Sequence, residues 1–468
     1  MMKRIRGSQS MKSRYRQVFA LLLVWLCMLD RSLAQAPPAN PLTLPKAVSI
    51  ALERNPLEKA ALADAKAASS NVGVARSFLM PHVTFTESGT RGNDPVYVFG
   101  SKLRQQRFTT ADFQLNQLNT PLPFGNFTTR FGGAWNLFDS FASWHAVSRA
   151  KRMNEAANHQ LDRTNQEIVF RVVEAYDGVL LANKRVDVAE QAEKTAQSIL
   201  DRSQSRFDTG LVVESDLLSA KVRIAERSAE LVRARNNLAL SRAQLNLTMG
   251  LVPDSPLEPV EELAERSFPE LPLAELETRA LDRRPDLRSL QSQEAAQQQS
   301  VAMAKSAFGP RVNAMAGWEL DNPTFLAGGG GNNWLGAIEV QFDLFQGGAR
   351  RAELSREHAL EQKMKALKQA ASDSVLLDIR RAYYDLDSAR QEVSIAHAAI
   401  AQAQESLRIS RDRYDGGLIT ITDLLGMEEA ARRTQADYWD AVYRLHIGYA
   451  NLELASGTLD MQSPVVNP

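Results

Sequence analysis

Cysteine is almost missing from this chain: its 468 residues include one, Cys27. That excludes a disulfide framework and a site built from several thiolates. Histidines number six (His82, His145, His159, His358, His397 and His446) and are scattered without ligand spacing, so no metal centre is expected. An excess of one charge sign is also lacking, with 55 Lys+Arg against 55 Asp+Glu, so the electrostatic footprint of a nucleic-acid binder is not there. Beyond residue 34 no stretch reaches 18 apolar residues, which excludes a transmembrane helix. If the chain enters a membrane, it must do so as a barrel. No nucleophile motif occurs, and the Gly328–Gly331 run lacks the strand–turn–helix setting of a phosphate cradle. Acidic residues are too evenly spread to pick out a catalytic pair, so neither an enzyme nor a cofactor is expected.

What is present begins with an export signal over 1–34. Lys3, Arg4, Arg6, Lys12, Arg14 and Arg16 precede an apolar run from Val18 to Leu29, and Ser32-Leu33-Ala34 supplies a cleavage site before Gln35. The run is too short to span a bilayer as a mature helix. Val24-Trp25-Leu26 ahead of Cys27 argues against lipoprotein processing.

The rest of the chain is a duplicated half-protein. Arg206-Phe207-Asp208-Thr209-Gly210-Leu211, then Ser215-Asp216-Leu217-Leu218, returns 207 residues later. The second copy is Arg413-Tyr414-Asp415-Gly416-Gly417-Leu418, then Thr422-Asp423-Leu424-Leu425. Each copy reads as the tip of a helical hairpin, with a glycine to end one helix and an acidic residue to start the next. So long a period is a duplication rather than a solenoid. The expected division is a first repeat over 35–250, a linker over 251–272 rich in Pro and Glu, a second repeat over 273–457 and a tail over 458–468.

Within each repeat the period changes from helical to two and back. Val83 and Phe85 alternate with Thr84 and Thr86, as do Phe131, Gly133, Trp135 and Leu137 with their polar or small neighbours. Val312, Ala314, Ala316, Trp318 and Leu320 alternate likewise, and so do Trp334 through Leu344, where Glu339, Gln341 and Asp343 take the polar positions. Two β-hairpins are therefore expected, about 81–138 and about 310–345, the first with a long loop from about Thr90 to Asn126. Aromatics near the strand ends fit an outer-membrane wall; a soluble antiparallel sheet fits the alternation equally. Ile168, Val172, Ala175, Val179, Ala182, Val186 and Ala189 step by four and three, and adding 207 reaches Val375, Ile379, Ala382, Leu386, Ala389, Val393 and Ala396. These are coiled-coil seams. One helix from Phe141 to Arg206 would be roughly 100 Å long, a length that a tube can bury and a small globule cannot.

Four strands cannot close a membrane barrel, and lipid does not tolerate open edges. Either the strands lie outside a membrane or several chains pool them, with the helices forming a tunnel beneath. The number of chains is a choice among multiples.

The paired tips, the opening Leu42-Thr-Leu-Pro-Lys-Ala-Val with Asn55-Pro56, Phe78-Leu-Met-Pro81, Trp135-Asn-Leu-Phe138 and Phe342-Asp-Leu-Phe345 together resemble the TolC family of outer-membrane efflux proteins. The resemblance implies a mainly α fold with a membrane β-barrel: a homotrimer pooling twelve strands above an α-barrel of long antiparallel coiled coils. It implies a passive exit duct for efflux or type I secretion, docked to a periplasmic adaptor and an inner-membrane pump. Carried over by position, Gly210, Leu211, Gly417 and Leu418 would seat the adaptor. Asp216 and Asp423 would lie at the tunnel entrance, and Glu339, Gln341 and Asp343 would face the barrel lumen. Asp216 and Asp423 also suit helix N-termini for purely structural reasons, and Tyr176 and Tyr383 read as packing. Ile419 and Gly426 stand where the best-known member has an Arg and a second acidic residue, so a gate held by those polar links is not implied. The rival readings are an exported periplasmic adaptor, which needs one hairpin and soluble β-domains, and a structural coiled coil, which leaves the strands without a role.

Overall fold

The computed structural model describes residues 40–326 and 331–467. The expected signal segment with Cys27, and Gly328 to Gly330 of the glycine run, lie outside the described residues. The same element order occurs twice. A short strand β1 (Asn40–Leu42) leads into helices α1 (Leu44–Arg54) and α2 (Pro56–Ser77), which recur 229 residues on as α7 (Leu273–Arg283) and α8 (Pro285–Ser306). In both copies a proline opens the second helix, where its missing N–H costs nothing. Strands β2 (His82–Gly92) and β3 (Phe124–Phe138) correspond to β5 (Arg311–Asn322) and β6 (Gly331–Gln341). The long hairpins follow: α5 (Ala142–Asp208) with α6 (Glu214–Thr248), and α9 (Ala349–Asp415) with α10 (Ile421–Ser456).

Helices α5 and α9 have 67 residues each, about 100 Å of continuous helix. Toward the sheet α5 packs on α2 and α8; toward the tips it packs on α6 and α10. On α9 the expected seam is buried from Val375 to Val393, and its last member, Ala396, is half-buried. On α5 the buried row drifts. Ile168, Val172, Val179 and Ala182 are buried, but the row then continues through Val188, Ala192, Ala196 and Ile199, leaving Val186 and Ala189 half-buried. A helix of 3.6 residues per turn rotates away from a fixed seven-residue repeat unless it supercoils to follow it.

The core lies midway along the hairpins, where non-helical chain straps them. β1 pairs in parallel with β4 (Leu257–Pro259). Leu42, Leu263, Phe268, Val465 and Val466 are buried against the helices. Tyr176 donates to the Leu42 carbonyl (2.9 Å), and Phe268 stacks on Tyr449 at 4.3 Å. His446, also buried, lies 3.1 Å from Asp177 and 3.0 Å from the Ala264 carbonyl oxygen.

Among the described residues the four long strands form one antiparallel sheet in the order β2-β3-β5-β6, with β2 and β6 as its edges. Register separates two faces. Phe85, Phe131, Trp318 and Trp334 follow one another across one face, with Val312, Ala314, Ile338 and Val340 below them. Thr86, Arg130, Glu319 and Asn333 cross the other, with Asn313 and Glu339 below. Strand β6 ends at Gln341, three residues before the expected Leu344. There Asp343 accepts from the Gln341 and Gln346 side chains, and Gly347 and Gly348 take positive φ to turn the chain into α9. Asp343 therefore stands past the strand rather than on it.

The expected loop from Thr90 to Asn126 also needs correction. It holds a helix α3 (Pro95–Arg104), a 3₁₀ turn (Thr110–Phe113) and a short helix α4 (Leu115–Asn119). Asp94 caps α3 by accepting from the Tyr97 amide at 2.8 Å, and Pro95 occupies the first turn. Phe99, Phe108 and Phe113, packed edge to face, and a Lys102–Asp112 ion pair of 2.6 Å hold the segment together. Elements this short carry no period to detect.

Candidate functional site

The two hairpin tips are built alike. Gly210 and Gly417 take the left-handed conformation (φ 74° and 71°) that a side chain would resist. The Gly210 and Leu211 amides donate to Phe207 and Arg206, and those of Gly417 and Leu418 donate to Tyr414 and Arg413, all at 2.9 Å. This is the six-to-one, five-to-two closure of a helix C-terminus. It turns Leu211 and Leu418 outward, 67% and 75% exposed.

The helices that leave the tips start differently. Thr420 caps α10 in a reciprocal box: its Oγ1 accepts from the Asp423 amide, and Asp423 Oδ2 accepts from the Thr420 amide (3.1 Å) and hydroxyl (2.7 Å). Those bonds hold the Asp423 carboxyl below its ordinary pKa. Asp216 lies in the first turn of α6, whose N-cap is Val213 and has no side-chain cap. Within one chain these two carboxylates sit at separate hairpin tips, each in the first turn of the returning helix. Glu339 and Gln341 share the polar sheet face, far from the tips along the helices.

The two tips are fastened to each other, a feature that sequence spacing did not reveal. Arg206 Nη1 donates to the carbonyls of Tyr414 (2.6 Å) and Asp415 (2.8 Å), and its guanidinium lies 5.1 Å from the Tyr414 ring centre. The Tyr414 hydroxyl lies 3.2 Å from Ser203 Oγ, and Arg202 pairs with Asp415 at 2.8 Å. Ile199, Tyr414, Ile421, Leu424 and Leu425 form a small apolar core beside these bonds, with Ile419 packed against it. A Cβ built at Gly426 would meet open space. Both Arg206 and Tyr414 belong to the repeated motif, but a contact between residues 208 apart leaves no local pattern.

Further from the tips, Arg227 of α6 is 2% exposed and bonds to Glu428 of α10 at 2.9 Å, itself 2% exposed, as well as to Glu429 and Glu230. Burial opposes the Arg227 charge, but its three carboxylates more than compensate and raise its pKa. Arg432, then Arg227, holds the Glu429 carboxyl down at about 2 despite partial burial. No group of three or more His, Cys, Asp or Glu among the described residues could hold a metal ion, and no described helix is long and apolar enough to cross a membrane.

Known proteins share this build. The profile of the outer membrane efflux protein family matches residues 47–251 and 276–458, the two repeats. Protein CyaE of Bordetella pertussis is 24% identical over 421 residues, 88% of this chain and 82% of that one. Outer membrane protein TolC of Escherichia coli is 23% identical over 447 residues, 87% and 80% of the two chains. The crystal structure of the Campylobacter jejuni CmeC outer membrane channel superposes with a TM-score of 0.75 over 93% of this chain and 92% of that one, at 16% identity. The chain belongs to the outer membrane efflux protein family, whose members are channel proteins, and its fold is that of a TolC-like outer-membrane exit duct.

Proposed function

We propose that three copies of this chain pool their sheets into a twelve-stranded barrel in the outer membrane and their hairpins into a periplasmic tunnel. The duct is passive and releases drugs, metals or polypeptides delivered by an inner-membrane pump through a periplasmic adaptor. Residues 1–34 serve as the cleaved export signal. The observation that carries this reading is the sheet: β2 and β6 are edges without a second partner strand among the described residues, and one face is apolar. Val312 to Leu320 on that face covers roughly 20 Å along the axis of a tilted barrel, close to the apolar band of outer-membrane walls. An edge of that kind in lipid must be paired, and a copy of the same chain supplies the complementary edge.

On this reading Glu339, Gln341 and, at the rim, Asp343 line the lumen. Gly210 and Leu211 at one tip and Gly417 and Leu418 at the other offer two tip surfaces per chain to the adaptor's hairpin. Asp216 and Asp423, repeated by threefold symmetry, place acidic groups at the entrance, where mutual repulsion would favour bound cations. Outer-membrane fractionation with chemical crosslinking tests the proposal. It expects a heat-labile trimer in the membrane fraction and loss of export when the gene is deleted. A soluble periplasmic monomer would favour an adaptor or a structural coiled coil instead.

A further inference from the structure

The segment between β2 and β3 is not a free loop but a small folded unit resting on the polar face of the sheet. Tyr97 Oη ties α3 to the Thr90 carbonyl at 2.7 Å, and the helix then crosses toward the start of β6. At its far end Arg104 donates to Glu319 Oε1 at 2.8 Å, and Glu319 is also held by Arg130 of β3. The next residue, Gln105, is 3% exposed and donates to Asn126 Oδ1 (2.7 Å) and the Gly125 carbonyl (3.0 Å). Asn126 in turn donates to Asp321, which is fully buried. Contact is so close that a Cβ built at Gly331 would overlap the Arg104 carbonyl. All of these partners belong to the end of the sheet opposite the hairpins.

The face that α3 covers is the one carrying Arg130, Glu319 and Glu339, which is the lumen side of the proposed duct, and a role for α3 there rests on that duct reading. Twelve strands about 4.8 Å apart and tilted about 40° enclose a barrel about 24 Å across between backbones. Three helices about 10 Å thick, packed around an axis, span about 22 Å. One α3 per chain would therefore be more than enough to obstruct the outer mouth. Each copy also leaves Val96, Leu103, Phe113, Leu115 and Leu122 exposed. Helix α3 ends against the start of β6, the edge that a neighbouring copy must pair, so this apolar surface continues the interface between copies.

We propose that residues 93–123 of three chains meet over the barrel axis and form a lid on its outer mouth, each latched to its own wall through Arg104 and Gln105. The occupant of the exposed apolar surface is the same surface of the neighbouring copies. Cargo leaving the duct has to part the apolar contacts between copies and release the polar latch at Arg104 and Gln105.

The test uses intact cells expressing the full chain with Cys27→Ser and Glu339→Cys, treated from outside with a bulky polyethylene-glycol maleimide. The lid predicts no labelling at 339, with labelling restored by Arg104→Ala plus Gln105→Ala, and also by replacing 94–121 with a short Gly-Ser turn. In a separate Cys27→Ser chain, Phe113→Cys should crosslink to its neighbours on oxidation. Ready labelling of 339 with the lid intact and a normal trimer would overturn the lid alone. Protection that persists after 94–121 is removed, or failure of Phe113→Cys to crosslink, would overturn it too. If no trimer reaches the outer membrane, the duct reading falls and the lid falls with it.

Discussion

Arg206 and Tyr414, one from each hairpin, hold the two tips of a single chain together: the guanidinium bonds to the Tyr414 carbonyl at 2.6 Å and covers its ring at 5.1 Å. The second hairpin can therefore swing from the first only by giving up this contact and the Ser203–Tyr414 hydrogen bond. Arg206→Ala should loosen the entrance and raise single-channel conductance in planar bilayers. Tyr414→Phe removes only the hydroxyl bond, worth about 1 kcal/mol, and should have a smaller effect. Equal conductance in the parent and in Arg206→Ala would show that the pair does not restrain the tips.

The Arg227–Glu428 pair makes a prediction about stability. Both side chains are buried, so Glu428→Leu strands a cation and should cost about 3–5 kcal/mol, partly offset by Glu230 and Glu429. Arg227→Met combined with Glu428→Leu should recover most of the loss. Thermal dissociation of the trimer, followed on gels, distinguishes the two; an equally destabilised double variant would contradict the account.

Two carboxylates give pH dependences of opposite sign. Burial pushes Glu453 from 4.5 up to about 7, so its contribution is full below pH 4.5 and is lost as pH rises through 7. Arg432 and Arg227 hold Glu429 at about 2, so its contribution is present above pH 4.5 and is lost as pH falls toward 2. Glu453→Gln should flatten the stability profile between about pH 5 and 8, and Glu429→Gln should flatten it only on the acid side. Denaturant midpoints across pH read both.

At the second tip, Gly417→Pro is incompatible with a φ of 71° and removes the amide that donates to Tyr414. Crosslinking to the adaptor and export should fall, whereas trimer formation and the barrel, ~100 Å away, should be unaffected. Normal crosslinking with unchanged export would remove the tip from the docking surface.

Much of this architecture was legible because it repeats. Helix seams such as Val375 to Val393, the left-handed glycines 210 and 417, and alternation from Val312 to Leu320 each leave a regular trace in one stretch of chain. The unread parts depend on distant partners. Arg104 meets Glu319, and Arg206 meets Tyr414, only once the fold has formed. Strand β6 kept its alternation through Leu344 although its pairing stops at Gln341, since hydrophobic period reports exposure and not hydrogen bonding. The Asp423 position was visible as a helix start, but its cap, Thr420, lies two residues before the Thr422 of the repeat motif.

The most direct measurement is the mass of the protein extracted from outer membranes in mild detergent, combined with protease protection of β2 and β6. Three copies per particle with both edge strands protected is the predicted result. A monomer whose edge strands are cut freely would mean that no wall is completed between copies, and no duct would remain.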